Sequence, residues 1–280
     1  MRRDPTKAYL ASFVALGMTA NLLGPGLTIL RHQVHASVGA IGRLFVLTSV
    51  GYLIGSVLAG RGYDRSLGHR LYAGSLGLVA VSVLAVAYVG SFVAMMITFF
   101  VMGVAMSCTD LGGNTLMMWQ RRGNVGPYMN ALHFSFGIGS LLTPLLVNRS
   151  VAWSGDLRIA CGVIVALSLG VGAWVASTAA PVHVAVGAGD ADAETRSPEL
   201  RTSEECGSSE GCGSSDVRST DTGPLALVAG FFVLYVGLEL GFAGWIHTYA
   251  EEVHLGSANV VSAVTTVFWA AFTVGRLVAV

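Results

Sequence analysis

Eight stretches of about 20 mostly apolar residues follow one another along this chain. A helix of that length crosses the hydrocarbon core of a bilayer, which is about 30 Å thick. Charged residues make up 11% of the chain, whereas about a quarter is usual in a soluble domain. The sequence therefore predicts an all-α polytopic membrane protein. Its spans are expected at about 8–30, 42–60, 71–89, 92–119, 128–147, 159–179, 225–249 and 257–280.

One connection differs from the others in length and composition. Residues 181–223 are dominated by Gly, Ser, Asp, Glu and Thr, with almost no large apolar side chains. Such a segment cannot bury enough surface to offset the entropy of ordering it, which predicts a disordered linker. We therefore expect a six-helix transmembrane bundle over 1–180 and a partial C-terminal bundle of helices seven and eight over 224–280. The last span runs to the final residue, which indicates a chain truncated at its C-terminus.

Basic residues are distributed unequally between the two sides of the predicted membrane. The N-terminal segment and the even-numbered loops carry most of them: Arg2, Arg3, Lys7, Arg61, Arg65, Arg70, Arg121 and Arg122. The odd-numbered loops carry few: Arg31, Arg149 and Arg158. Because cytoplasmic loops are enriched in Lys and Arg, the N-terminus and the 181–223 linker are predicted to be cytoplasmic. We expect this multi-pass protein in the plasma membrane rather than in an intracellular one.

The fourth and fifth spans contain polar groups that hydrocarbon should exclude. Asp110 and Asn114 are four residues apart and share a helix face, and Asn130 and His133 are three apart and share another. An ionisable group at membrane depth costs about 3 kcal/mol or more, so it usually lies in a bundle interior or a watered cavity. These four residues are predicted to line a polar route. The structural alternatives are an ion pair of Asp110 with Arg121, a helix–helix hydrogen bond for Asn114 and simple packing for His133.

The seventh span adds two further candidates. Glu239 lies in the middle of the span, where a carboxyl group is functional by default; we expect it to act in gating, coupling or substrate contact. Trp245 could offer its ring as a platform for the apolar face of a sugar, or could anchor the helix at the membrane interface.

Two spans carry small residues with a structural meaning. Gly24-Pro25-Gly26 in the first span predicts a kink or an opened helix, which serves either packing or binding. In the second span Gly51, Gly55 and Ala59 recur every four residues. Such a ridge lets a neighbouring helix approach closely and predicts a packing contact.

Six spans, a long cytoplasmic linker and a second set of spans resemble the layout of the major facilitator superfamily. The loop after the second span is similar to that superfamily's signature, with Asp64-Arg65 followed by Gly68-His69-Arg70 and one extra residue between the two parts. The resemblance implies a conformational latch near the cytoplasm at Asp64 and Arg65. It also implies an architecture of twelve helices in two bundles, of which about four are absent from this sequence.

The resemblance narrows to the sodium-dependent glucose transporter and fucose permease branch. It rests on four segments: 108–114 (CTDLGGN), 129–137 (MNALHFSFG), 235–249 (YVGLELGFAGWIHTY) and 268–276 (FWAAFTVGR). In that branch an acidic residue of the fourth helix is linked to cation coupling and sugar binding, and Asp110 occupies the matching place. The resemblance implies a secondary active transporter that takes up a hexose such as glucose with sodium or a proton, by alternating access.

The sequence is also compatible with other functions. The same fold could carry another small solute, since fold alone does not decide substrate, and the short second half could mean a truncated, non-transporting isoform with a regulatory role. An enzyme is not expected, because no nucleophile elbow, phosphate loop or metal-ligand spacing is present. We expect a sugar and the lipid bilayer as partners, no nucleic acid, and no cofactor or bound metal beyond a coupling Na⁺ or H⁺.

Overall fold

The computed structural model describes residues 4–65, 67–121, 123–181 and 222–278, except for some side chains in the last range. Most of the predicted linker, residues 182–221, lies outside these ranges. Within them the regular elements are all helices. They are α1 (Thr6–Ala20), α2 (Leu23–Gln33), α3 (Val38–Ile41), α4 (Arg43–Asp64), α5 (Gly68–Tyr88), α6 (Phe92–Gln120), α7 (Gly126–Ser154), α8 (Arg158–Ala176), α9 (Thr222–Glu252) and α10 (Ala258–Val278).

Each predicted span corresponds to a helix or a helix pair. α1 and α2 form the first span, α3 and α4 the second, and α5 to α10 follow as the third to the eighth. In the described residues, six spans are long and apolar enough to cross a membrane, and the bent pair α1–α2 brings the number to seven. The predicted all-α membrane fold is confirmed.

The chain divides into two units, Met1–His183 with Leu240–Val280, and Val184–Glu239. The larger unit therefore contains α1 to α8, the second half of α9, and α10. The predicted domain limits at 1–180, 181–223 and 224–280 stay a prediction. Within the larger unit the core packs around α1, α5 and α6, where Tyr9, Phe13, Tyr72 and Phe99 are fully buried.

The first span is broken near its middle. α1 and α2 meet at an angle of 47° across Asn21 and Leu22. Pro25 lacks a backbone N–H, so it cannot donate to the carbonyl of Asn21 four residues earlier, and its ring clashes with that carbonyl in a straight helix. The predicted kink therefore lies one turn before the proline. The Asn21 side chain donates to Ser140 Oγ of α7 at 2.8 Å, which ties the bend to the bundle.

Glycines set the distance between α4 and α6. A methyl group added at Gly51 would lie 2.1 Å from the carbonyl oxygen of Phe100, and one added at Gly103 would lie 2.1 Å from that of Thr48. Gly55, further along the same ridge, would meet the Val104 carbonyl oxygen at 2.6 Å. The backbones thus touch where the glycines cross, and the predicted role of the small-residue ridge in packing is confirmed.

The same crossing occurs a second time, between α1 and α7. A methyl group at Gly17 would lie 2.1 Å from the Phe136 carbonyl oxygen, and one at Gly139 would lie 2.1 Å from the Val14 carbonyl oxygen. The contact between the first and fifth spans therefore repeats the contact between the fourth and second spans. Equivalent spans are three apart in the chain and run in opposite directions, which is the relation expected of two inverted three-helix repeats.

An arginine after α6 fastens the N-terminal segment to the bundle. The Arg121 guanidinium pairs with Asp4, donates to Thr6 Oγ1 at 2.9 Å and lies 4.3 Å above the centre of the Tyr128 ring. Asp4 also accepts from the Thr6 backbone N–H at 3.0 Å. Partial burial by itself would raise the pKa of the Asp4 carboxyl, but the bonds from Thr6 and the charge of Arg121 outweigh it and hold that pKa below its ordinary value of 3.8.

We predict that this anchor weakens in acid. A carboxyl group whose pKa is lower in the folded state stabilises that state above its unfolded pKa, and the contribution disappears as the pH falls through the folded pKa. In detergent near neutral pH, the melting temperature of the wild type should therefore exceed that of the Asp4→Asn variant. The two melting temperatures should converge below about pH 4. A difference that stays constant across this range would contradict the role of the Asp4 charge. The effect is small because Asp4 is half exposed.

Candidate functional site

Asp110 lies inside α6, ten residues before the helix ends at Gln120. At 1.5 Å per residue this places its Cα about 15 Å from that end, near the middle of a hydrocarbon core of about 30 Å. The side chain is half buried. Asp110 is thus a carboxyl group at mid-membrane depth, as the sequence predicts.

Two neighbours donate hydrogen bonds to the Asp110 carboxylate. The Tyr52 hydroxyl of α4 donates to Oδ2. Asn114 Nδ2 donates to Oδ1 at 3.0 Å and to the Asp110 backbone oxygen at 2.9 Å. Tyr52 follows Gly51, so the glycine crossing of α4 and α6 is what allows its hydroxyl group to reach this depth. Both carboxylate oxygens are therefore satisfied by protein donors.

Tyr52 is a contact of Asp110 that was not predicted from the sequence. Its signal was a single tyrosine within the apolar second span, and a buried Tyr hydroxyl usually has a hydrogen-bond partner. The structure also decides against the ion pair of Asp110 with Arg121, because the Arg121 guanidinium is at the membrane edge with Asp4. In the described part of the chain, no basic side chain forms an ion pair with Asp110.

Asn114 leaves one acceptor unused beside the carboxylate. Its Oδ1 is buried and has no hydrogen-bond partner among the described residues. A buried polar atom without a partner costs about 1–3 kcal/mol. Asn114 is thus a hydrogen-bond partner of Asp110 whose own carbonyl oxygen is buried and unpaired in the described part of the chain.

Asn130 and His133 lie on α7, and both side chains are exposed. The His133 ring packs edge-to-face on Phe13 of α1, with ring centres 6.3 Å apart. Phe13 in turn lies close to Gly113 of α6, since a methyl group there would lie 2.2 Å from its ring. One aromatic ring therefore connects His133 to the part of α6 that carries Asn114.

The two candidates on α9 belong to different units. Glu239 is half buried and lies in the smaller unit. Trp245 lies in the larger one and is 38% exposed. Its ring packs on Phe45 of α4 with centres 5.7 Å apart and an angle of 36° between the planes.

The predicted latch residues Asp64 and Arg65 are exposed at the C-terminal end of α4. Neither forms an ion pair with another described residue. Among the described residues of this motif, the buried polar side chain is that of His69, which contacts the Tyr9 hydroxyl at 2.6 Å and the Thr178 carbonyl oxygen at 3.0 Å. Since a carbonyl only accepts, Nδ1 carries the proton and Nε2 accepts from Tyr9. His69 thereby ties the start of α5 to α1 and to the segment after α8.

The apolar helices, together with polar groups held between them, define an integral multi-pass membrane protein. The family model described as "Major Facilitator Superfamily" matches residues 9–279. The chain belongs to this superfamily.

Similar curated proteins carry more specific names. Sodium-dependent glucose transporter 1A of Mus musculus is 32% identical over 145 residues, which are 51% of this chain and 33% of that protein. Sodium-dependent glucose transporter 1 of Homo sapiens is 32% identical over 143 residues, 50% and 27% of the two chains. Major facilitator superfamily domain-containing protein 4A of Homo sapiens is 29% identical over 152 residues, 53% and 29%. The alignments thus cover about half of this chain and a third or less of each relative.

Proposed function

We propose that this chain acts in the cation-coupled uptake of a hexose such as glucose by alternating access, with Asp110 as the coupling residue. The observation that carries the proposal is the Asp110 carboxylate at mid-membrane depth, bonded by Tyr52 and Asn114 and without an ion-pair partner among the described residues. Membrane carriers typically bind substrate and ion near the midplane, between helices. A carboxylate at this depth is usually functional, and here we propose that it binds and releases the coupling cation.

The coupling ion is a proton or sodium, and the site offers chemistry for each. A proton would neutralise the carboxylate directly. Sodium is a hard cation that takes oxygen ligands, and the groups at hand are the Asp110 carboxylate, the Tyr52 hydroxyl and the unpartnered carbonyl oxygen of Asn114. The names of the mouse and human relatives, which specify sodium and glucose, favour sodium.

The proposed sugar contacts come from groups of mixed polarity. Hexose hydroxyls both donate and accept, so a binding site needs partners of both kinds. The amide groups of Asn114 and Asn130 contain both a donor and an acceptor. His133 offers a ring nitrogen, and Trp245 offers an aromatic surface. We further propose that the Glu239 carboxyl group acts in gating or coupling.

The test is binding and uptake of radiolabelled glucose by this chain in proteoliposomes. We expect saturable glucose binding, and uptake that is driven by an inward sodium gradient or by an inward proton gradient. Uptake that is the same with and without either gradient would remove cation coupling from the proposal. Absence of both binding and uptake of glucose, with saturable binding of another labelled polyol instead, would mean that the carrier takes a different solute.

A further inference from the structure

The two glycine crossings carry a hydroxyl group at the same place. Tyr52 directly follows Gly51 on α4, and Ser140 directly follows Gly139 on α7. In each crossing, a methyl group added at the glycine of the facing helix would approach the backbone nitrogen of this hydroxyl residue, at 3.0 Å for Tyr52 and at 3.1 Å for Ser140. Ser140 is therefore the counterpart, at the α1–α7 crossing, of Tyr52 at the α4–α6 crossing.

Each of these hydroxyl groups contacts a polar side chain of the facing span. Tyr52 donates to Asp110, which lies seven residues beyond the crossing glycine of α6. Ser140 accepts from Asn21 at 2.8 Å, and Asn21 lies four residues beyond the crossing glycine of α1. A serine hydroxyl group is closer to its backbone than a tyrosine hydroxyl group, so it reaches about one turn less far along the facing helix. Asn21 is thus an uncharged counterpart of Asp110.

The Asn21 amide is held through its nitrogen, which leaves its oxygen unused. Nδ2 donates to the Gly17 carbonyl oxygen at 3.0 Å and to Ser140 Oγ at 2.8 Å. A carbonyl only accepts, so the atom bonded to Gly17 is the amide nitrogen, and both of its protons are used. Oδ1 accepts no hydrogen bond from the described residues, and it is not one of their fully buried polar atoms. The amide therefore presents an oriented acceptor from a half-buried side chain.

The bend that carries Asn21 lies beside α9. Gly24 is three residues beyond Asn21, and a methyl group there would lie 3.2 Å from the Gly244 carbonyl oxygen. An amide oxygen without a partner costs about 2 kcal/mol or more in an apolar environment. Polar groups kept at this depth usually serve a ligand or its path. A ligand with hydroxyl groups would satisfy this oxygen.

Asn21 and Asp110 lie at similar depths on two helices that are in contact. Phe13 of α1 lies beside Gly113 of α6, and these two helices run in opposite directions. At 1.5 Å per residue, Asn21 lies about 12 Å and Asp110 about 4.5 Å from the level of this contact, in the same direction. Their depths therefore differ by about 7–8 Å, which is less than two helical turns.

We propose that Asn21 is a further sugar contact, whose Oδ1 accepts a hydrogen bond from one hydroxyl group of the transported hexose; this role rests on the proposed carrier function. Ser140 and the Gly17 carbonyl oxygen position the amide. The charged member of the two equivalent pairs, Asp110, holds the coupling cation, and the uncharged member binds the uncharged substrate. Each crossing thus supplies the binding residue for one of the two solutes.

The experiment compares glucose with its monodeoxy analogues. Binding of labelled glucose, and competition by each analogue, are measured in detergent for the wild type and for Asn21→Ala. We expect glucose to bind about tenfold more weakly to the variant, which is the effect of losing one good hydrogen bond. One analogue lacks the hydroxyl group that Asn21 binds, and the wild type and the variant should bind this analogue with equal affinity.

Three further variants separate the contact from its surroundings. Asn21→Ser can still donate to the Gly17 carbonyl oxygen within the helix, but it lacks the amide oxygen. It should show the same tenfold loss, which decides the question even where Asn21→Ala fails to fold. Ser140→Ala releases the amide without removing its oxygen and should weaken glucose binding by a smaller factor. Asn148→Ala removes an amide near the other end of α7, where it is bonded to Asn259, and should leave the affinity unchanged.

The outcomes distinguish this contact from the transport function. Equal glucose affinity in the wild type and in both Asn21 variants would overturn the contact and leave the function standing. A loss that is the same for glucose and for every analogue would also overturn it, because it would show a structural effect of the substitution. A wild type that binds no glucose would remove both the contact and the proposed uptake of glucose.

Discussion

Replacement of Gly103 by leucine should abolish folding of this protein. The α4–α6 crossing leaves no room for a Cβ, because the atom nearest to an added methyl group is a backbone carbonyl oxygen at 2.1 Å. A flexible side chain could move aside, but a backbone carbonyl cannot move without shifting its helix. Even Gly103→Ala should cost at least about 3 kcal/mol, the upper end of typical overpacking. Net stabilities are about 5–15 kcal/mol, so leucine leaves little or none.

A matched control is available on α5. Gly77 lies in the middle of a span, and a methyl group there would meet nothing within 4 Å. Gly77→Ala and Gly77→Leu should therefore keep the elution profile and melting temperature of the wild type in detergent, whereas the Gly103 variants aggregate or melt earlier. Gly139→Leu at the second crossing should fail in the same way as Gly103→Leu. If Gly103→Leu elutes and melts like Gly77→Leu, the close approach of the two backbones is wrong.

Replacement of Asp110 by asparagine should remove cation-driven uptake, by about 100-fold or more. The substitution removes the charge and also replaces one acceptor oxygen by an N–H donor. That donor would face either the Tyr52 hydroxyl or the Asn114 amide, both of which donate in the structure. Losing a charge-assisted site of this kind costs about 3 kcal/mol, which is a factor of more than 100 in affinity for the cation.

The measurement is uptake of labelled glucose with and without the driving gradient. Asp156→Asn is the matched control, since Asp156 is a loop carboxylate paired with Arg158 outside the membrane and should leave uptake unchanged. Tyr52→Phe keeps the charge and removes one donor, so it should retain uptake while changing the cation concentration at half-maximal rate. Gradient-driven uptake that persists in Asp110→Asn would show that the coupling charge lies elsewhere.

The helices could be predicted from the sequence, and so could one pair of neighbouring residues in the candidate site, Asp110 and Asn114. Apolar length predicts the spans, and the spacing of Asp110 and Asn114 places them on one face, where the amide does reach the carboxylate. Helix geometry over four residues is a local property. The break before Pro25 is equally local, because it follows from a missing N–H and a carbonyl four residues earlier.

The contacts between distant segments could not be predicted in this way. Tyr52 reaches Asp110 only because two helices cross at their glycines, and nothing near Tyr52 in the chain specifies that partner. Thr28 and Glu251 are 223 residues apart and meet only through the packing of α9 on α2. Glu251 also follows the apolar part of its span, so its position in the sequence suggests an ordinary residue at the membrane edge.

The paired glycine crossings determine which parts of the molecule can move. Backbones in direct contact cannot slide past each other without steric clash, and parting them would lose their close packing, so α4 with α6, and α1 with α7, are expected to move as rigid pairs. Spin labels on α4 and α6 should keep one separation throughout a working cycle. Tyr52, Asp110 and Asn114, which are hydrogen-bonded to one another across α4 and α6, would then move as one unit, and any conformational change would take place between the helix pairs.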